Sequence, residues 1–463
     1  MVFSSLTFLC IFLPLVLILD RIVRNIHVKN ALLLIASLLF YAYGEPVYVF
    51  LMAASALLNY VSALLIAGNK RFRKLFLVSG VIVNLGALVF FKYSVFLVTS
   101  FNSATGLNVS VPNVTLPLGI SFFTFQAMSY VIDVYRGECE VQKNFGRLLL
   151  YISFFPQLIA GPIVKYRDIA AEISSREVNS ANTADGIRRF AMGLSKKVFI
   201  ANNVAVITDS VYSALGTGLD AKCAWLGAVS YMLQIFFDFS GYSDMAIGLG
   251  LMFGFHFKEN FDHPYIAGSI KEFWRRWHIS LSSWFKDYLY IPLGGNRKGK
   301  VRTVINKFIV FACTGIWHGA NWTFLLWGLY HGTFLMAEEF IPKSSKKSSL
   351  RTFLSHIYLI LVVLIGFVLF RCDSLTDFGL MMKAMFTSFN GRPANDMLFA
   401  RLLNPLNITA LIAGVVFSMP VSGKLTRLKF MKGLSYPAAL AAVVIAILCL
   451  SSGSYNPFIY FRF

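Results

Sequence analysis

The sequence predicts an all-α membrane protein, a polytopic bundle of about 10 to 12 spans with re-entrant and interfacial helices beside them. Three observations carry this. Of 463 residues, 57% are hydrophobic and only 14% charged, more apolar surface than a soluble domain can hide. Apolar stretches near 20 residues, long enough to cross roughly 30 Å of hydrocarbon, recur along the whole chain. The basic residues, 42 Lys and Arg against 22 Asp and Glu, gather mainly in loops and at the ends of those stretches, as membrane topology requires.

The stretches lie at 5–19, 30–43, 46–67, 75–91, 225–255, 303–319, 322–337, 354–370, 408–420 and 437–451. No basic residue precedes the first, while Arg21 and Arg24 follow it; it reads as a retained span with the N-terminus outside, not as a signal peptide. Loops then alternate, with 44–46 and 95–114 outside and 69–74 and 133–147 inside. The net charge of +20 serves topology and contact with anionic lipid. With no long basic tract or soluble domain, nucleic acid is not an expected partner.

Within 116–132, Ser121, Thr124 and Gln126 interrupt an apolar run and either line a cavity or bond across helices. In 154–162, Pro156, Gly161 and Pro162 break helical hydrogen bonding, so this segment is expected to be re-entrant. At 267–297, Ile270, Phe273, Trp274, Trp277, Leu281, Trp284, Phe285 and Tyr288 recur every three or four residues, opposite Lys271, Glu272, Arg275, Arg276, Lys286 and Asp287. The pattern predicts one amphipathic helix, too charged to span, lying along the interface or packed under the bundle. The glycine-rich turn after it carries Arg297, Lys298 and Lys300 but matches no P-loop and reads as a basic turn. The six cysteines stand singly, implying neither a disulfide framework nor a zinc site. With no internal repeat or low-complexity linker, 1–463 reads as one integral membrane domain.

The chemistry concentrates in an uncharged run between Lys307 and Glu338 that holds two histidines, in Trp317-His318-Gly319-Ala320-Asn321-Trp322 and Tyr330-His331-Gly332. An ionisable group in hydrocarbon is by default a functional candidate. On one straight helix the two rings would stand about 20 Å apart and on different faces. They share a site only if the helix breaks at 319–321. His278, among Trp274, Arg275, Arg276 and Trp277, is either an interfacial ring with a wet edge or part of the site. Asp238 and Asp244 are the other intramembrane ionisable candidates; one orients a histidine, or either pairs with Arg275 or Arg276. His27, His256, His263 and His356 read as structural. No Gly-x-Ser-x-Gly or His-Glu-x-x-His pattern occurs, so no metal site is expected, and a histidine general base is the chemistry these residues permit.

Several motifs, in order, resemble the membrane-bound O-acyltransferases, and within them the branch that O-acetylates polysaccharides such as alginate. They are Asn84-Leu85-Gly86 with Phe91-Lys92-Tyr93, 116–137, Phe155-Pro156-Gln157 with Ala160-Gly161-Pro162, 237–245, 273–280, 288–297, 317–322 and the tail Asn456-Pro457-Phe458-Ile459-Tyr460-Phe461. The resemblance implies that His318 is the essential histidine, at a tunnel through which an acyl group from a cytosolic thioester, acetyl-CoA, reaches an acceptor. It further implies no permanently bound cofactor, a bacterial inner-membrane location, a polysaccharide acceptor and a periplasmic SGNH-hydrolase-like partner. Asn321, His331, His278, Asp238 and Trp317 are then supporting or tunnel-lining candidates, and Arg275, Arg276, Arg297 and Lys298 candidates for holding the anionic donor. Rival readings are a transporter or flippase of a glycan precursor with the histidines as proton relays, D-alanyl transfer to teichoic acid, and a structural scaffold.

Overall fold

A computed structural model describes residues 1–340, 348–421, 429–453 and 455–459, and every regular element among them is helical. All ten apolar stretches fall on helices. Among the described residues, five helices are by themselves long and apolar enough to cross a membrane: Tyr48–Gly68, Arg73–Thr105, Ser180–Ser213, Ser349–Arg371 and Gly433–Ser451. Pro393–Leu402 and Pro405–Phe417, bent by 70°, make a sixth if they cross together. Ser180–Ser213 is absent from the ten stretches because Arg188, Arg189, Lys196 and Lys197 break its apolar pattern. Two of those charges are neutralised inside the protein, Arg189 by Asp244 and Lys197 by Asp238.

The chain packs as two units, Met1–Phe190 with Ser243–Lys258, and Ala191–Tyr242 with Glu259–Phe463. In the first, Phe3, Phe8, Phe12, Phe40 and Phe155 form an aromatic cluster. Asn59 and Asn84 exchange amide hydrogen bonds of 3.0 and 2.9 Å, a reciprocal pairing that suits polar side chains on apolar helices. Segment 154–162 interrupts the helices as its prolines dictate. Helix Phe145–Ser153 stops and a single turn, Phe155–Leu158, follows, wholly buried. Its backbone is satisfied internally, the Phe155 N–H donating to Ser37 Oγ at 3.1 Å. Arg189 grips Asp244 through Nε at 2.8 Å and Nη2 at 2.6 Å, so Asp244 is structurally paired, but with Arg189 and not with Arg275 or Arg276.

In the second unit, Gly299–His318 and Trp322–Phe340 form an antiparallel helical hairpin. Two glycines set its spacing. A Cβ on Gly315 would stand 2.3 Å from the Phe324 carbonyl oxygen, and one on Gly328 2.2 Å from that of Phe311, so the backbones touch as small residues allow in membrane bundles.

The expected single helix over 267–297 is instead two helices, Ile270–Arg276 and Ile279–Phe285, continued by a π-helical turn Lys286–Tyr290. The break is at His278, whose φ of 44° is left-handed. Asn260 holds the break, its side-chain oxygen accepting from the Ser280 N–H at 3.1 Å and its main-chain oxygen from Ile279 N–H at 2.9 Å. The periodicity survives because each half keeps its own face inward, and all eight apolar residues of the pattern are buried. The face packs into the protein.

Candidate functional site

His318 ends its helix because Gly319 turns extended, with φ −170° and ψ 159°. A Cβ on Gly319 would fall 2.2 Å from the Phe324 ring. Asn321 then restarts the chain: its amide donates to Asp373 O at 2.7 Å and its carbonyl accepts from Thr323 N–H at 3.2 Å. The helix therefore breaks at 319–321, the condition under which the two histidines can meet.

They meet around one indole. The Trp327 ring lies 5.0 Å from His318 and 5.0 Å from His331, edge to face with both. His318 also meets Trp317 at 5.0 Å and Phe370 at 5.2 Å. It retains 6% of its surface, beside a cavity of about 10 Å³ lined by Ile235, Phe239, Trp277, Trp327, Phe367, Phe370 and Ile459. The expected polar tunnel is here a small, mainly hydrocarbon-walled space on the scale of one water molecule.

His331 is fully buried among Trp274, Trp327 and Tyr330, and neither of its ring nitrogens has a hydrogen-bond partner among the described residues. His278 is fully buried too, so the expected wet edge is absent: the turn that breaks the helix drives the ring inward, 4.6 Å from Phe239 and 6.1 Å from Trp317. Its Nδ1–H donates to Asn260 Oδ1 at 3.2 Å, and burial pushes the imidazole down to about 3, keeping it neutral.

Asp238 orients no histidine and meets neither Arg275 nor Arg276. Lys197 pairs with it at 2.8 Å, the two side chains 3% and 1% exposed, and the Ile459 N–H donates to its other oxygen at 2.9 Å. Among the candidate donor-binding cations, Arg276 is committed to Asp262 and Glu272, while Arg275, Arg297 and Lys298 are exposed. The structure thus gathers His318, Trp317, His331 and His278 into one aromatic cluster, makes Asn321 a helix cap and Asp238 an anchor, and leaves three cations at the surface. Sequence reasoning missed Trp327, Phe370, Trp277 and Ile459 as cavity walls. Trp327 lay within the uncharged run, four residues before His331, but Phe370 and Ile459 come from distant segments and show themselves only by contact. Tyr460 and Phe461 of the tail motif lie outside the described residues.

Residues 142–379 match the model of the membrane-bound O-acyltransferase family. Over the full length of both chains, the protein is 40% identical to an alginate O-acetylase of Azotobacter vinelandii and 39% identical to one of Pseudomonas putida. It is also 34% identical to a peptidoglycan O-acetyltransferase of Helicobacter pylori, over 100% of this chain and 98% of that protein.

Proposed function

The chain belongs to the membrane-bound O-acyltransferase family and is a multi-pass membrane enzyme, and from that premise we propose that it moves an acetyl group from cytosolic acetyl-CoA toward a hydroxyl of an extracytoplasmic polysaccharide of the alginate class. The observation that carries the reading is the place of His318, an imidazole at a helix break beside a small cavity of about 10 Å³ walled mainly by hydrocarbon. His318 accepts the acceptor hydroxyl's proton as that oxygen attacks the thioester carbonyl. The carbonyl electrons move to oxygen, and the indole N–H of Trp327, buried without a partner among the described residues, is the donor assigned to that oxyanion. Collapse breaks the carbon–sulfur bond, and the departing thiolate takes the proton from His318. In the apolar setting a fixed donor is worth more than in water.

The names of the relatives support acetyl as the group and a cell-envelope polymer as its destination. The smallness of the cavity favours a short acyl group over a long one. A bacterial cytoplasmic membrane with the N-terminus outside fits the basic residues of the first loops, and a periplasmic SGNH-hydrolase-like protein is the partner assigned to the last transfer. Incubating the purified protein with acetyl-labelled CoA and an unacetylated alginate oligosaccharide, with and without that partner, tests the reading. Label is expected on the glycan, or on the partner and then the glycan. Label that never leaves acetyl-CoA, while a parallel incubation with a labelled D-alanyl carrier-protein thioester transfers its label, contradicts it.

A further inference from the structure

The described tail, 455–459, is held by side chains of the second unit at successive positions. The Tyr455 hydroxyl donates to Asp209 at 2.6 Å, the Asn202 amide to Asn456 at 3.2 Å, and the Lys197 ammonium to the Pro457 carbonyl. Ile459 N–H completes the series on Asp238 at 2.9 Å. The side chain of Ile459, 4% exposed, is a wall of the His318 cavity.

Lys197 and Asp238 meet for two local reasons. A Cβ on Gly241 would stand 2.8 Å from the Gly193 carbonyl oxygen and 3.2 Å from Lys196 Cβ, so the absence of a side chain there lets the two helices touch one turn from Asp238. Lys197 also lies in a π-helical turn, Lys196–Ala201, a feature that recurs at functional positions. A buried ion pair holds helices no better than a well-packed apolar pair. What it adds is a spare donor and a spare acceptor, and here both are spent on the main chain of the tail, Pro457 O and Ile459 N–H.

We propose that the Lys197–Asp238 pair is a latch that fixes the register of the C-terminal tail, so that Ile459 closes the His318 cavity and limits the transferred group to two carbons. Ile459 is then a specificity-determining residue, and Lys197 and Asp238 are positioning residues. The inference rests on the reading that this cavity receives the acyl group.

Thiol release by the purified full-length protein, measured with acetyl-CoA and with butyryl-CoA in the presence of unacetylated alginate oligosaccharide, tests it. Ile459→Ala is expected to raise the butyryl-to-acetyl ratio of kcat/KM by about tenfold or more, the scale at which a pocket senses added methylenes. Because breaking one half of a buried pair threatens folding, the latch is tested by the double apolar variant Lys197→Met with Asp238→Leu, which keeps the packing and removes both tail contacts. It is expected to shift the ratio in the same direction, and a merely structural pair would leave the ratio where it was. A ratio within twofold of wild type in Ile459→Ala overturns the wall. A shifted ratio there with none in the double variant overturns the latch. No thiol from the wild-type protein with either donor overturns the acetyl-CoA reading itself, and this inference with it.

Discussion

The His318 imidazole meets the edges and faces of Trp317, Trp327 and Phe370, each at 5.0 to 5.2 Å. Rings at this spacing fix the orientation of the imidazole while leaving the medium apolar. Trp327 is a wall of the cavity and, in the proposed mechanism, the donor to the oxyanion, and the two uses separate by substitution. Trp327→Phe keeps an aromatic ring and removes the N–H; kcat is expected to fall by about 10²–10³-fold with little change in KM, and steady-state kinetics on the solubilised enzyme decide it. A loss confined to KM would assign the indole to binding alone.

His278 contributes at the same scale through stability. Its imidazole is held near 3 by burial, against an ordinary value of 6.5. Above about pH 6.5 neither the folded nor the unfolded state binds the proton. As pH falls through that value the unfolded chain takes it up and the folded one does not, so stability declines toward pH 3. By pH 5 the loss is roughly 2 kcal/mol. His278→Asn, which tolerates the left-handed turn, is expected to flatten the dependence of the thermal midpoint between pH 7 and 5. An unchanged slope would place the proton uptake elsewhere.

At the scale of elements, the hairpin Gly299–His318 and Trp322–Phe340 brings the site together, and its glycines set the distance. Gly315→Ala places a methyl 2.3 Å from a main-chain oxygen, which no rotamer relieves. Destabilisation of about 1–3 kcal/mol is expected, with activity lost in parallel as Trp327 moves off His318. Gly379→Ala, in helix Leu375–Thr387 where a Cβ meets nothing within 4 Å, is the control and is expected to be neutral or slightly stabilising. Thermal unfolding in detergent distinguishes the two. The hairpin was half legible in the sequence: Gly319 and Asn321 mark a possible break, and hydropathy marks both arms. The aromatic face of 267–297 was equally plain, because a period of 3.6 survives a break that keeps each half's face inward. The break itself was not, since a left-handed histidine held by Asn260, 18 residues away, leaves no local signal.

For the whole molecule, membrane class and helical architecture follow from composition and spacing, because hydrocarbon admits few other folds. Long-range pairing does not follow. Asp238 reads in sequence as a partner for a nearby histidine or arginine, and the structure gives it Lys197, 41 positions earlier, and the tail main chain. Charge pairing depends on which helices face each other, and one-dimensional periodicity does not contain that choice. The proposed sidedness rests on charge, through the basic loops at 21–29 and 69–74. Acetyl-CoA consumption is accordingly expected in vesicles that expose the cytoplasmic face and not in sealed vesicles of the opposite orientation, and equal rates in both would reverse or dissolve the proposed donor side.

The most direct test of the account is thiol release from acetyl-CoA by wild-type protein and by His318→Gln, both purified and shown to be folded by thermal unfolding. A general base contributes about 10²–10⁴ in rate. The variant is expected to fall by that factor with its fold intact; a correctly folded His318→Gln that keeps more than about a tenth of the wild-type rate would contradict the assignment of this imidazole as the base.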